Sequence, residues 1–228
     1  MIYGFAVIIA IGTILLMLPV SSKTGQFTSP IDAFFTATSA VCVTGLVVVD
    51  TADYWSLFGQ VVILALIQIG GFGFMTSATL FLLAFGHRIG LTEKILIGES
   101  MGIARLGGLA RIIGLMAMFT ILLEAVGAVG FYQHFSQENP IGKSVWLSVF
   151  QSVSAFNNAG FDLFGGFQSL SNFQREPLIL LITAGLIFLG GIGFLTVIDL
   201  IKTRKLSRLS LDSKLVLSTT ALLLALGT

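Results

Sequence analysis

Long apolar stretches alternate with short polar ones along the whole chain. Four of them approach or exceed the roughly 20 residues that carry a helix across a bilayer: 3–18, 55–85, 112–131 and 177–201. A fifth begins at Leu215 and continues for about fourteen residues, so we expect further membrane segments beyond residue 228. The pattern predicts an all-α membrane protein.

Two stretches of small and polar residues, 36–46 and 151–161, interrupt this apolar pattern. Each includes the end of a predicted helix of about twelve residues and the turn after it, the first helix over 30–41 with Ser29 as its N-cap and the second capped by Ser144. Helices of 10–14 residues are too short to span and are candidates for re-entrant elements. Polar backbone at membrane depth is tolerated only where it is buried in protein or lines a water-filled cavity. We therefore expect both stretches to be loops inside a hydrophobic frame.

The two polar stretches belong to a repeat. A Ser-Ala-x-x-x-x-Gly pattern at 39–45 recurs at 154–160, 115 residues later, and a Gly-Gly-x-Gly-Phe-x-Thr motif at 70–76 recurs at 190–196, 120 residues later. About five extra residues near 165–174 account for the change in spacing. Each unit therefore predicts one order of elements, which is membrane helix, short helix, polar loop and membrane helix. The glycine motifs are expected to allow close helix packing or bending.

Positive charge predicts how the repeat lies in the membrane. Nine of the twelve Lys and Arg residues fall in the connections 87–111 and 202–214. Because basic loops favour the cytoplasmic side, both short helices would enter from outside. The two units then face the same way, as parallel repeats around an axis normal to the membrane, and this arrangement predicts a pore.

These boundaries divide the chain into five parts. We expect a first repeat, a cytosolic connection, a second repeat, a basic cytosolic connection and the start of a third repeat, over residues 1–86, 87–111, 112–201, 202–214 and 215–228.

Composition supports a lipid-facing surface and excludes several function classes. Hydrophobic residues form 55% of the chain and charged residues 10%, against about 25% charge in an average soluble domain. A net charge of +1 gives no electrostatic basis for binding nucleic acid. Cys42 is the single cysteine, which excludes an internal disulfide and a cysteine-built metal site. His87 and His134 fall on opposite sides of the predicted membrane, no catalytic constellation appears, and we expect no enzyme.

Three segments, 34–51, 67–76 and 152–166, carry a resemblance to a known family. They resemble the Trk/Ktr/HKT superfamily of potassium transporters, most closely the bacterial Ktr-type membrane subunit. The resemblance implies four tandem units, each similar to one subunit of a potassium channel, of which this chain contains two complete ones. Cys42 stands where threonine is expected, and we interpret it as a small helix residue rather than a reactive thiol.

The resemblance also implies a potassium selectivity filter built from backbone carbonyls. Its ion-binding backbone would come from both loops, with a glycine in each: Val43, Thr44, Gly45, Asn158, Ala159 and Gly160. K⁺ would be the transported ion and the only metal, bound at these residues alone. Na⁺ is a candidate coupling or modulating ion, and no covalently bound cofactor is expected. The alternative is a tight re-entrant turn without ion traffic.

Acidic residues near the loops have two interpretations. Asp50, Asp53 and Asp162 would either concentrate cations at a pore mouth or be ordinary solvated loop acids. Glu124 lies in a predicted membrane helix, where a carboxylate is costly and is a functional hypothesis by default. We favour a structural role for Glu124, hydrogen-bonded to backbone or to Asn157, because selectivity by carbonyls needs no carboxylate.

Together these features predict potassium uptake through a channel-like filter by a multi-pass protein of a bacterial cytoplasmic membrane, surrounded by lipid. The resemblance implies a homodimer with a cytosolic nucleotide-binding regulatory ring, for which 86–111 and 202–214 are the expected contact segments. The rival hypothesis is a non-conducting structural or assembly subunit of a larger membrane complex.

Overall fold

The computed structural model describes residues 2–73, 109–203 and 209–227. Apart from a single bridge between Ser22 and Trp55, all regular structure in these ranges is helical, which confirms the all-α expectation. Short 3₁₀ helices form at Pro19–Ser21 and Ser169–Phe173. The α-helices within the described ranges are α1 Ile2–Met17, α2 Pro30–Val41, α3 Thr51–Tyr54, α4 Leu57–Phe72, α5 Leu109–Glu138, α6 Ile141–Phe156, α7 Pro177–Ile192, α8 Phe194–Thr203 and α9 Leu211–Gly227.

One helix of the described ranges is long and apolar enough to cross a membrane by length and composition. It is Ile112–Glu138, with 27 residues, in which an 18-residue window has a mean hydropathy of 2.2. Shorter apolar helices cover Tyr3–Met17, Leu57–Phe72 and Pro177–Ile192. All four carry large apolar side chains at the surface, which suits contact with lipid or protein better than contact with water. Examples are Val7, Val61, Ile121 and Leu181.

The short helices α2 and α6 lie among the longer ones. Helix α2 packs against α1 and α4, α6 packs against α5 and α7, and α4 also contacts α6. Side chains from both halves meet in one core, whose largest fully buried members are Trp55, Phe131, Phe150 and Phe161. The apolar helices therefore hold α2, α6 and the loops that follow them.

Helix α2 has the predicted bounds, with Pro30 as its first residue and Asp32 in its first turn. Proline suits this position because the first helical N–H has no partner within the helix. Ser29 is the N-cap residue, but its side chain makes no capping hydrogen bond, so the predicted capping role is wrong in that detail.

Helix α6 differs from its prediction at the N-terminus. It begins at Ile141 after Pro140, and it has sixteen residues rather than about twelve. Ser144 is therefore not the cap but a buried residue of the first turns, whose hydroxyl donates to the carbonyl oxygens of Phe135, Asn139 and Pro140. The polar segment before it is also shorter than expected, because α5 continues to Glu138.

Two predicted membrane helices end early, at the glycine motifs. Helix α4 ends at Phe72, and Gly73 then has φ +76°; residues 74–85 lie outside the described ranges. The predicted helix 177–201 is two helices, α7 and α8, separated by Gly193 with φ +82°. An uninterrupted helix over these residues is wrong, because a backbone with φ in this region leaves the helical conformation. The motifs break the helix as well as allowing it to pack closely.

Candidate functional site

Helices α2 and α6 end in the same hydrogen-bonded turn. After α2, the N–H of Thr44 donates to the carbonyl of Ser39 at 2.9 Å, and the N–H of Val43 donates to that of Ala40 at 3.3 Å. This pair of bonds defines a Schellman motif, with Val43 as the residue in the left-handed position. After α6, Ala159 and Asn158 donate to Ser154 and Ala155 at 2.8 and 3.1 Å. The two ends therefore have one backbone design, 115 residues apart.

Positive φ angles recur at every second residue of both loops. They are +55° at Val43 and +73° at Gly45 in the first loop, and +57° at Asn158 and +74° at Gly160 in the second. The residues between them, Thr44 and Ala159, keep negative φ. Alternation of this kind lets successive carbonyl groups face one side of the chain, whereas a regular strand alternates them. A β-branched residue at positive φ is an outlier, so Val43 holds backbone strain that its surroundings must maintain.

The two loops touch each other at their glycines. A Cβ placed on Gly45 would lie 2.7 Å from the carbonyl oxygen of Ala159 and 3.1 Å from the Cα of Gly160. A Cβ on Gly160 would lie 3.2 Å from the Cα of Gly45. The two glycine backbones are therefore in close contact, and an ion path bounded by both would lie to one side of that contact.

Hydrogen bonds from serine and threonine side chains fix each loop to its helix. Thr44 Oγ1 donates to Ser39 Oγ at 2.9 Å, and Ser154 Oγ donates to the carbonyl of Phe161. Ser39 and Ser154 are the equivalent serines of the Ser-Ala pattern. The sequence repeat thus marks residues that hold the loop backbone.

Each loop also rests on a glycine of the following apolar helix. A Cβ on Gly70 would lie 2.2 Å from the carbonyl oxygen of Val41, and one on Gly190 would lie 1.8 Å from that of Phe156. Val41 and Phe156 are the last residues of α2 and α6. Only glycine permits such close approach of two backbones, so the expectation of close helix packing at these motifs is confirmed.

A polar cluster joins the second loop to α4 and α5. The amide of Asn157 donates to Glu124 Oε1 at 3.1 Å and to Gln68 Oε1 at 3.2 Å. The carbonyl of Glu124 also accepts from Ser152 Oγ at 2.6 Å. The hydrogen bond expected between Glu124 and Asn157 is therefore present. The Asn157 amide supplies a donor to the buried Glu124 carboxyl group. A Cβ on Gly71 would lie 1.8 Å from Asn157 Oδ1, so α4 fits closely against this cluster.

Asp50 and Asp53 hold the turn at 165–168 that follows the second glycine loop. Asp50 Oδ2 accepts from the N–H of Phe167 at 2.8 Å, and Asp53 Oδ2 accepts from that of Gly166 at 3.1 Å. Asp50 Oδ1 also caps the short helix α3 by accepting from the N–H of Asp53 at 2.9 Å. Both carboxylates are therefore hydrogen-bonded to backbone, Asp50 at a half-buried and Asp53 at an exposed position, and the choice between pore-mouth acids and solvated loop acids stays a prediction.

A polar cavity of about 190 Å³ lies at the outer side of the paired glycines. Gly45, Gly160, Asp50 and Asp162 contribute to its lining. Burial raises the pKa of Asp162 above its usual value, and the negative charge of Asp50 adds to the rise, while hydrogen bonds from the Phe164 N–H and the Ser169 side chain oppose it. Two acids that face one cavity with the loop glycines make this the electronegative end of the site.

The remaining candidates lie apart from the paired glycines. Cys42 follows α2 and its side chain is exposed, so it is not packed within a helix face. His134 lies 3.8 Å from Glu176, and His87 lies outside the described ranges. No group of three or more His, Cys, Asp and Glu side chains suited to a metal occurs in the described part of the chain. Residues 87–108 of the first basic connection and 204–208 of the second also lie outside it.

Residues 1–228 match the family model TrkH, described as cation transport protein. The chain belongs to this family. Its match covers every residue, including both glycine loops, and agrees with the resemblance stated from the three segments.

Several curated relatives have similar sequences. The chain is 39% identical over 224 residues to the potassium/sodium uptake protein NtpJ of Enterococcus hirae, covering 98% of this chain and 49% of that protein. It is 40% identical over 224 residues to the Ktr system potassium uptake protein B of Bacillus subtilis, with the same coverage. The Vibrio alginolyticus protein of that name is 39% identical over 217 residues, covering 94% and 47%. The chain thus spans about half the length of the curated relatives it matches.

Proposed function

We propose that this chain supplies two pore-forming segments of a membrane protein that takes up K⁺ in a bacterium. The backbone of residues 43–45 and 158–160 binds the ion, with Gly45 and Gly160 at the narrowest part. Ions cross passively, driven by the membrane potential, which contributes about 2.3 kcal/mol per charge per 100 mV.

The shared backbone of the two loops carries this proposal. Both follow a short helix that ends in a Schellman motif, and both alternate the sign of φ up to a glycine. The carbonyl ends of the two helices carry partial negative charge, which favours a cation nearby. The names of the relatives, which include potassium uptake and potassium/sodium uptake, support K⁺ as cargo and Na⁺ as a second ion.

The contact between Gly45 and Gly160 requires further segments to close the path. A ring of four such loops would provide carbonyls on all sides of the ion. We therefore place the chain in a protein of four units, arranged as parallel repeats with division points as in the sequence analysis. Assembly as a homodimer with a cytosolic nucleotide-binding ring at 86–111 and 202–214 is part of the same proposal.

The rival function is a non-conducting subunit, and one observation favours it. The backbones of Gly45 and Gly160 are in direct contact, which is also expected of two turns with a purely structural role. The two functions predict different roles for the glycines. In a filter they determine ion selectivity, whereas in a non-conducting subunit they determine only folding.

The test is Gly160→Ser in the whole gene product, expressed in cells that lack potassium uptake. A Cβ at φ +74° is strained and shifts the neighbouring carbonyls. We expect the K⁺-to-Na⁺ ratio of uptake to fall about tenfold, which corresponds to about 1.4 kcal/mol of discrimination. Growth at low K⁺ should then become sensitive to added Na⁺.

Gly185→Ser is the matched control. Gly185 lies in α7 at negative φ, and a Cβ there meets no atom within 4 Å. This variant should keep the ion ratio of the original protein. If Gly160→Ser reaches the membrane at normal levels and keeps full discrimination, the filter assignment is wrong and the structural subunit is the better reading.

A further inference from the structure

A second cavity, lined by both polar and apolar side chains, lies behind the second loop, on the side of α7. It has a volume of about 160 Å³ and is lined by residues of α6, the loop, the 3₁₀ helix and α7, among them Gln151, Gly160, Asp162 and Thr183. Water occupies about 30 Å³ per molecule in the liquid, so the cavity has room for an ion with a few waters.

Two buried oxygens in this cavity have no partner. Gln151 and Thr183 are 6% and 4% exposed, and neither Gln151 Oε1 nor Thr183 Oγ1 makes a hydrogen bond. Leaving a buried acceptor unpaired costs about 1–3 kcal/mol. Gln151 and Thr183 both line this cavity, so a species bound in it is a candidate partner for both oxygens.

Comparison with the first unit indicates that the polar set belongs to the second loop. At the spacings of the repeat, Gln151, Asp162 and Thr183 correspond to Thr36, Val47 and Ile63. Two of the three oxygen-bearing positions are hydrocarbon in the first unit. The general architecture of a glycine loop therefore does not require these side chains.

Charge separates the two simplest occupants, water and a cation. The residues that line the cavity include one acid, Asp162, and no base. Asp162 already accepts hydrogen bonds from the Phe164 N–H and the Ser169 side chain, but neither donor neutralises its charge. A cation in the cavity would supply that countercharge, whereas a water molecule would not. Oxygen ligands that include one carboxylate suit a hard cation of low charge.

We propose that this cavity binds an alkali-metal cation, with oxygens of Gln151, Thr183 and Asp162 as its protein ligands. The bound ion supports the second loop from behind and is distinct from ions in the carbonyl path. This site goes beyond the proposed function, since a cation can occupy it whether or not the loops conduct.

The test uses the whole gene product in detergent and follows its thermal midpoint. Choline chloride is replaced stepwise by NaCl or by KCl at constant ionic strength, so the two arms identify the ion. We expect a saturable rise in the midpoint for at least one ion. Thr183→Val should raise the half-saturating concentration about tenfold or more, because the valine has the same shape and no oxygen. Asp162→Asn should act in the same direction and serves if Thr183→Val does not fold.

Controls separate this site from the carbonyl path and from folding effects. Thr36→Val removes a buried hydroxyl from the first unit and should leave the half-saturating concentration unchanged, and Thr183→Ser should restore binding. A shift that vanishes in Gly45→Ser and persists in Thr183→Val arises at the glycine loops and overturns the proposal. Absence of any saturable shift, or its full retention in both Thr183→Val and Asp162→Asn, shows that the cavity holds water alone and also overturns it.

Discussion

The two glycine loops share a backbone but differ in what surrounds it. The first ends in Val43 and Gly45, and the residue after α2 is the exposed Cys42. The second has Asn158 and Gly160, and the residue after α6 is Asn157, bonded to Glu124 and Gln68. Valine at positive φ is strained, whereas asparagine tolerates the left-handed region.

This difference indicates a division of labour within the pair. Equivalent turns need only the hydrogen bonds of the Schellman motif and a glycine, and both loops have these. In addition, side chains from α4 and α5 fix the start of the second loop at Asn157, and Asp50 fixes the turn after it at Phe167. We therefore expect changes around the second loop to have the larger effects on stability.

The largest effect is expected where helix and loop backbones touch. Gly190→Ala places a methyl group 1.8 Å from the Phe156 carbonyl, and Gly70→Ala places one 2.2 Å from the Val41 carbonyl. Overpacking costs about 1–3 kcal/mol, and more where backbone must move, so both variants should lose several degrees in thermal midpoint, Gly190→Ala more. Gly191→Ala is the control, because its nearest atom lies 3.9 Å away. Equal midpoints for Gly190→Ala and Gly191→Ala would contradict the contact.

A smaller effect should separate Asn157 from its counterpart Cys42. Asn157→Ala removes the amide that bonds Glu124 and Gln68, so the buried Glu124 loses one of its donors, and we expect a cost of about 1–3 kcal/mol. Cys42→Ala changes an exposed side chain and should stay within about 0.5 kcal/mol. Thermal unfolding of both variants tests the comparison, and a Cys42→Ala loss as large as that of Asn157→Ala would show that the loops are equally supported.

The hydrogen bonds from Asp50 and Asp53 to the turn at 165–168 should affect local opening of that turn more than global stability. Asp53→Asn weakens the bond to the Gly166 N–H, and Asp50→Asn weakens the bond to the Phe167 N–H. Hydrogen exchange at 165–168 should accelerate in both variants, with the rest of the chain unchanged. Asp32→Asn, an acid in the first turn of α2, is the control. If exchange at 165–168 is unchanged when Asp50→Asn and Asp53→Asn are combined, the two carboxylates do not stabilise this turn.

The smallest perturbation is chemical labelling of the first loop. Cys42 is exposed, so a membrane-impermeant thiol reagent added outside should label it. Cys42→Ser with Asn157→Cys moves the single thiol to the equivalent position beside Glu124, where labelling should be slower. Faster labelling at 157 than at 42 would reverse the proposed difference in packing.

Local features of the fold were predictable, whereas contacts between the units were not. Pro30 and the polar stretch after Val41 mark both ends of α2, and the repeat located Gly45 and Gly160. Ser144 misled because the N-cap of α6 is Pro140, a less typical residue, while the Ser144 hydroxyl lies inside the helix and donates to the Phe135 carbonyl. A pair of glycines is compatible both with close helix packing and with a helix break. The sequence therefore carried no separate signal for the break at Gly193.

Gln68 shows why the site itself remained incomplete. It is a lone polar residue in an apolar stretch, and this was the one signal available for it. Its partner Asn157 is 89 residues away, and the clamp from Asp50 to Phe167 joins residues 117 apart. One sequence contains no information that pairs such distant positions.

The contact of Gly71 with Asn157 has a consequence for how related sequences can diverge. The Asn157 oxygen fills the space that a Cβ at position 71 would need. Alanine at 71 is therefore compatible only with a smaller residue at 157, and the paired change should cost less than the sum of its parts. Across descendants of this sequence the two positions should covary, although they lie in different units of the repeat. Replacing one unit with that of a related sequence would then require a matching residue in the other unit.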